Sequence, residues 1–336
     1  MGVDDTPKPS LVELAKEAKS AVLAGCGGGG DIVQTIPLMN YLRLLGVERF
    51  VLADIGVKWW EQYGEMAVGC EVLSLDWLSH SERLGEHVAL VSPETRLTDG
   101  RGKGETLHES VIAHELDVPT ATISLRDGLP GVYAGFEALI DHVEADLFVS
   151  VDIGADSFFS GEETTVQSPL IDAMSLHCAA LLPTPSIFAV TGYGCDAEMP
   201  LSHLNRNVAR VMQEGGYLGA YGLTQQDVAD LGRVLAHFPG EEVEVWPYEA
   251  ARGNLGTHYA KRLWAIEVLP LAAVTLFFDP QVIIDHVNPL PKAISQTRTL
   301  AEAEEAVLEH GLFPETRLPQ VIPAPSPPQV PDEDKR

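Results

Sequence analysis

Two apolar periods alternate along the chain. Short and nearly continuous apolar runs, "SAVLAG" (20–25), "RFVLADIG" (49–56), "HVALVS" (87–92), "TATISL" (120–125), "DLFVSVDIG" (146–154) and "SIFAVTGYG" (186–194), read as strands buried on both faces. Helix-length segments lie between them: "DIVQTIPLMNYLRLLG" (31–46), "ETLHESVIAHEL" (105–116), "GVYAGFEALIDHVEA" (131–145) and "SPLIDAMSLHCAALL" (168–182). Buried strands alternating with helices predict an α/β fold, a doubly wound, mostly parallel Rossmann-like sheet.

From about Leu201 the pattern becomes more helical, with "LSHLNRNVARVMQEGG" (201–216) and "TQQDVADLGRVLAHF" (224–238). "EVEVWPYE" (242–249) reads as a short strand, and "HYAKRLWAIEVLPLAAVTLFFD" (258–279) fits either period in its later part. "TLAEAEEAVLEHG" (299–311) is a final helix with Thr299 as its N-cap. The segment from 313 to 336 carries seven prolines without apolar periodicity and reads as a disordered tail. The expected organisation is an N-terminal helix or extension (1–19), one α/β domain (20–312) with a C-terminal elaboration from about 201, and that tail.

Charge narrows the partners. With 49 acidic against 22 basic residues, the net charge of −27 repels nucleic-acid backbones and anionic membranes, leaving a small molecule as the expected partner. A homo-oligomer is compatible with everything read here. The four cysteines, Cys26, Cys70, Cys178 and Cys195, form no C-x-x-C pair, which fits a reducing compartment. The first residues have neither a basic nor an apolar signal region, so a cytoplasmic location is expected.

Four segments carry candidate chemistry. In "GCGGGGD", from Gly25 to Asp31, a strand feeds a glycine turn that opens a helix. Gly25, Gly27, Gly28, Gly29 and Gly30 would present backbone amides to an anion, and the Gly25-x-Gly27-x-x-Gly30 spacing with Asp54 ending the next strand matches a dinucleotide fingerprint. Asp31 is an odd neighbour for a pyrophosphate unless a cation lies between them. In "VDIGADSFFSGEETTVQSPLIDA" (151–173), Asp152 ends a strand and Asp156 follows in a turn, a pair suited to Mg²⁺ or Mn²⁺ or to acid/base work. Ser168-Pro169 reads as a helix start, with Asp172 favouring the helix dipole and Glu162 and Glu163 as turn acids.

"TGYGCDAEMP" (191–200) repeats the theme with Gly194 and Asp196 as ligand contacts, and Cys195 as a weaker nucleophile candidate. Arg126, after "TATISL", could meet an anion, as could the cluster Arg252, His258, Lys261 and Arg262. His108 and His114 are spaced i, i+6 and share no helix face as a zinc pair would; His177, within an apolar helix, reads as a core residue.

Together, "GCGGGGDIVQTIPLMNYLRLLG", "VDIGADSFFSGEETTVQSPLIDAM", "GYGCDAEMPL" and "LPLAAVTLFFD" resemble the archaeal and bacterial family catalogued as domain of unknown function 1152, over roughly residues 20–312. Gly27 to Asp31 match its first motif, and Asp152, Gly154, Asp156, Ser168, Pro169 and Asp172 its second. Ala155 and Ala197 stand where that family commonly has glycine. The resemblance implies an α/β protein with a shared pocket and no established reaction.

The leading expectation is an enzyme acting on a phosphorylated or nucleotide-like small metabolite. The glycine turn would hold the anion, and Asp31, Asp152 and Asp156 would act as acid/base groups, the latter two also as ligands of a divalent metal. A metal-assisted transferase or hydrolase is favoured over the alternative, an NAD(P)-dependent oxidoreductase. A non-catalytic metabolite sensor is the third reading.

Overall fold

The computed structural model describes residues 8–62, 67–239, 243–260 and 264–317. Helix α1 (Leu11–Glu17), started by a capping box between Ser10 and Glu13, leads into β1 (Ser20–Gly25). A 3₁₀ turn (Gly29–Gln34) precedes α2 (Thr35–Leu45), β2 (Arg49–Ile55) and the hairpin β3 (Val57–Gln62) with β4 (Ala67–Val72). Then come β5 (Ser81–Arg83), β6 (Val88–Val91), α3 (His108–Leu116), β7 (Thr120–Ile123), α4 (Gly128–Val143) and β8 (Leu147–Ile153). The chain continues through α5 (Pro169–Leu181), β9 (Ser186–Thr191), α6 (Leu201–Gln213), β10 (Tyr217–Gly222), α7 (Gln225–Leu235) and α8 (Val245–Ala251). It closes with the hairpin β11 (Gly256–Ala260) and β12 (Trp264–Val268), then β13 (Val274–Phe278), α9 (Pro280–His286), α10 (Leu290–Ile294) and α11 (Leu300–Glu309).

Nine strands form one sheet in the order β10-β13-β9-β8-β1-β2-β7-β6-β5. The central five are parallel, and both edges are antiparallel. Along β1, successive side chains point to opposite faces, so Val22 and Ala24 join one core while Ala21 and Leu23 join the other. The first core includes Phe136 of α4 and Leu170 and Met174 of α5; the second includes Ile36 and Met39 of α2, Ile112 of α3 and Leu231 of α7. Two covered faces explain why β1, β7 and β8 are buried throughout. Among the described residues, no helix is long and apolar enough to cross a membrane.

Three expectations change. "EVEVWPYE" is not a strand, because Val245–Ala251 is helical; Pro247 sits in its first turn, where the missing amide has no helical partner to lose. The segment after Tyr259 resolves into the β11–β12 hairpin and β13. The expected tail starts inside the fold: the Cys70 amide donates to Glu315 O at 2.9 Å, and Arg317 pairs with Glu304 at 2.9 Å. The remainder of that tail, from 318, lies outside the described residues.

Glu315 also alters how α5 begins. Ser168 occupies the N-cap position, but its hydroxyl makes no capping bond. The Glu315 carboxylate instead accepts from the Ile171 amide (2.7 Å) and the Leu170 amide (3.2 Å). Burial pushes Glu315 up to about 8 against the pull of those amides. Glu315→Ala therefore leaves two buried helix-end donors unsatisfied, and its expected cost is about 2 kcal/mol. Urea unfolding should show that loss, with Glu315→Gln, which keeps one acceptor, falling between the two.

Candidate functional site

The strand order around β1 decides where a ligand can enter. Strands β2 and β7 lie on one side of β1, and β8 and β9 on the other, so the winding reverses between β1 and β8. Helices leave the ends of these two strands in opposite directions, which opens a crevice at their C-terminal ends. The glycine turn after β1 and the Asp152 segment at the end of β8 meet there, in a cleft of about 660 Å³.

Acid dominates its lining. Ten aspartates and glutamates face it, against a single lysine among the described residues, Lys58, which is bound to Glu105 at 2.6 Å. Asp54, Asp152, Asp156, Asp172 and Asp196 are each 4% exposed or less, while Asp31 is half-buried. The glycine turn serves these acids. The Gly27 amide donates to Asp31 Oδ2 at 2.7 Å, and the amides of Ile55 and Gly29 act on Asp54. Two of the donors expected for a phosphate are thus already turned toward carboxylates.

Ser168, released from capping, bridges the acids. Its Oγ lies 2.9 Å from both Asp156 Oδ2 and Asp172 Oδ2, while the Ser157 hydroxyl donates to Asp152. Burial, then repulsion from Asp156 and Asp31, raises Asp152 well above the usual carboxylate range. Asp172 rises through burial and the charges of Asp156 and Asp152. Asp31 rises through burial, opposed by the Gly27 amide and reinforced by Glu244, Asp156 and Asp196. For Asp54 the causes are burial, then Glu109 and Asp31.

Apolar surface closes the rest. Trp59 stands over the glycine turn, donating its indole N–H to Gly28 O at 3.2 Å, and His108 stacks on Phe238 with ring centroids 4.1 Å apart. Among the described residues, only Glu86, His87 and Asp127, outside this cleft, gather three potential metal-ligand atoms within 4.8 Å of one another.

Of the residues named from sequence, Gly27, Gly28, Gly29, Gly30, Asp31, Asp54, Asp152, Asp156, Ser168 and Asp196 converge on the cleft. Gly25 sits behind it, where a Cβ would lie 2.6 Å from the Ile32 amide. Gly194, at φ 73°, packs against Leu201 rather than lining the cleft, and Arg126 is exposed away from it. Arg252 pairs with Glu249, the ring of His258 lies against Trp246, and neither lines the cleft. Lys261 and Arg262 fall outside the described residues. Burial pushes Cys195 up to about 12, which leaves no thiolate for a nucleophile.

Sequence reasoning assigned Asp172 to the helix dipole, but its carboxyl faces the cleft. Glu198, in the same glycine-and-acid segment as Asp196, also lines the cleft, whereas Lys58, Trp59, Glu109 and Glu244 were missed. Spacing alone does not bring the β3 hairpin, α3 or the start of α8 over the end of β1.

Ala155 (φ 86°) and Ala197 (φ 65°) both hold left-handed backbone beside the site. The chain belongs to the family described as protein of unknown function DUF1152, which it matches over residues 22–321. No curated protein matches it.

Two outcomes are expected. Ala155→Gly and Ala197→Gly should each stabilise the fold by about 0.5–1 kcal/mol in thermal or urea unfolding, by relieving the side-chain clash of left-handed backbone. Well below about pH 4, Asp31, Asp54, Asp152 and Asp172 are protonated in the folded and unfolded chain alike. Above it the unfolded chain releases protons that the fold retains, so ligand-free stability falls as pH rises through the raised pKa values. Asp172→Asn should then raise Tm at neutral pH by about 2–4 °C, and the gain should vanish in acid.

Proposed function

We propose that the cleft is the active site of an enzyme acting on a phosphorylated or nucleotide-like small metabolite, as a metal-assisted transferase or hydrolase. The observation that supports this most is the convergence of Asp31, Asp152, Asp156 and Asp172, from the end of β8, the segments that follow the adjacent strands β1 and β8, and the start of α5, at the point where the winding reverses. Structural residues have no reason to gather mutually repelling acids in an open crevice.

The donor set is all oxygen, which suits Mg²⁺ or Mn²⁺. Among the described residues the acids form no preassembled three-ligand cage, and Mg²⁺ commonly needs none, binding one or two carboxylates, waters and substrate phosphate oxygens. Asp152 and Asp156 are the pair assigned to it. When bound, the cation would neutralise phosphate charge and polarise the reacting centre. Asp31 and Asp172, whose protonated forms are favoured by burial and repulsion, would serve as acid/base groups. Ser168 orients two of the acids at once, and Trp59 offers a flat apolar wall to a base or other ring.

A second reading, an NAD(P)-dependent oxidoreductase, is favoured by the β7-β2-β1-β8-β9 order and by Asp54 at the end of β2. It is opposed by the commitment of the Gly27 amide to Asp31.

Native mass spectrometry with and without EDTA, followed by turnover assays on phosphorylated metabolites, separates the readings. A chelator-sensitive ligand, thermal stabilisation by Mg²⁺ or Mn²⁺, and at least about 100-fold loss of turnover in Asp152→Asn and Asp156→Asn are expected. Activity unchanged in both variants and in Asp31→Ala would sink the enzymatic proposal. Bound NAD(H) with a chelator-insensitive Kd would favour the second reading.

A further inference from the structure

The space over Gly27 has an unusual boundary. A Cβ placed on this residue would lie 3.0 Å from Asp172 Oδ1 and 3.2 Å from Asp31 Oδ2, and its third-nearest atom would be Asp31 Cγ. These distances already crowd a single carbon, so the two carboxylates stand this close over the turn only because residue 27 has no side chain. Asp172 Oδ1 is buried and accepts no hydrogen bond, although the other oxygen of that carboxyl is held by Ser168. An acceptor withdrawn from water and left unmatched costs roughly 1–3 kcal/mol unless a ligand supplies the donor, and it lies in the wall of an open cleft.

We propose that the cleft side of these two carboxylates is a subsite for a primary ammonium group of the substrate, bridging Asp31 and Asp172 beside Gly27. An ammonium carries three donors on a compact positive centre and tolerates a two-sided arrangement of acceptors. The neighbouring wall fits an organic cation: a Cβ on Gly29, two residues on, would lie 2.7 Å from Trp59 Cδ1, so the indole borders the same turn. An aliphatic chain leaving the ammonium would meet that ring, and an indole face attracts cationic groups. The assignment rests on the proposed function in placing the substrate in this cleft, and it adds that the substrate is an amine.

Calorimetric titration of the full chain with a homologous series of α,ω-diamines, in EDTA and near-physiological salt, tests this without turnover. The matching diols serve as uncharged controls. At least one diamine should bind one-to-one while its diol does not. Gly27→Ala, whose backbone lies outside the left-handed range, would set a methyl group 3.0 Å from Asp172 Oδ1 and 3.2 Å from Asp31 Oδ2, push the two carboxylates aside and should weaken binding about tenfold or more. Asp172→Asn preserves shape, removes the charge and should do the same. Circular dichroism and thermal melts establish that both variants are folded. Absence of diamine binding to the wild type overturns the subsite, as does equal binding by folded Gly27→Ala and Asp172→Asn, the expected result if amines merely coat an acidic surface. Loss of turnover in Asp152→Asn bears on the enzymatic proposal alone, so the two can fail separately.

Discussion

Like charges crowded into a poorly solvated crevice are the constraint around which this molecule is arranged. Asp31, Asp54, Asp152 and Asp172 all have their ionised forms disfavoured, first by burial and then by the charges of neighbouring carboxylates. Such a cluster stays folded by retaining protons or by receiving cationic ligands. Hydrogen-bond donors around the site are spent accordingly. Gly27 gives its amide to Asp31, Ser157 its hydroxyl to Asp152, and Ser168 sits between Asp156 and Asp172.

That allocation reaches well outside the cleft. Ser168 can hold two carboxylates because Glu315, far away in sequence, satisfies the first amides of α5 in its place. The segment after the last helix is therefore coupled to the site through one helix end. Backbone strain belongs to the same arrangement: Gly154 has φ 102°, and a Cβ there would run into the Asp196 carboxylate. Ala155, the next residue, adopts a left-handed conformation that glycine would reach at less cost.

Much of the architecture was legible in the chain. Apolar runs as short as "TATI" can be strands only if both faces are covered, and the helices that cover them show in the intervening periodicity. The acids at strand ends were legible for the same reason, since Asp54 and Asp152 interrupt apolar runs where the sheet stops. "EVEVWPYE" misled because alternation over so few residues also fits one face of a short helix. Arg126 and Gly194 misled because a position after a strand says nothing of which way the chain then turns.

By itself the sequence determined the α/β class, the buried parallel strands and the concentration of acid after β1 and β8, because each depends on local periodicity and residue type. Only the tertiary structure decided that these acids face one another, that Asp172 belongs with them, and that the glycine turn offers its amides inward to carboxylates. Those relations depend on strand order and on contacts between residues far apart in the chain, such as Glu315 with the start of α5. The opening run of glycines thus acquires its meaning from its neighbours in space: at Gly27 the missing side chain lets two carboxylates close in on the turn.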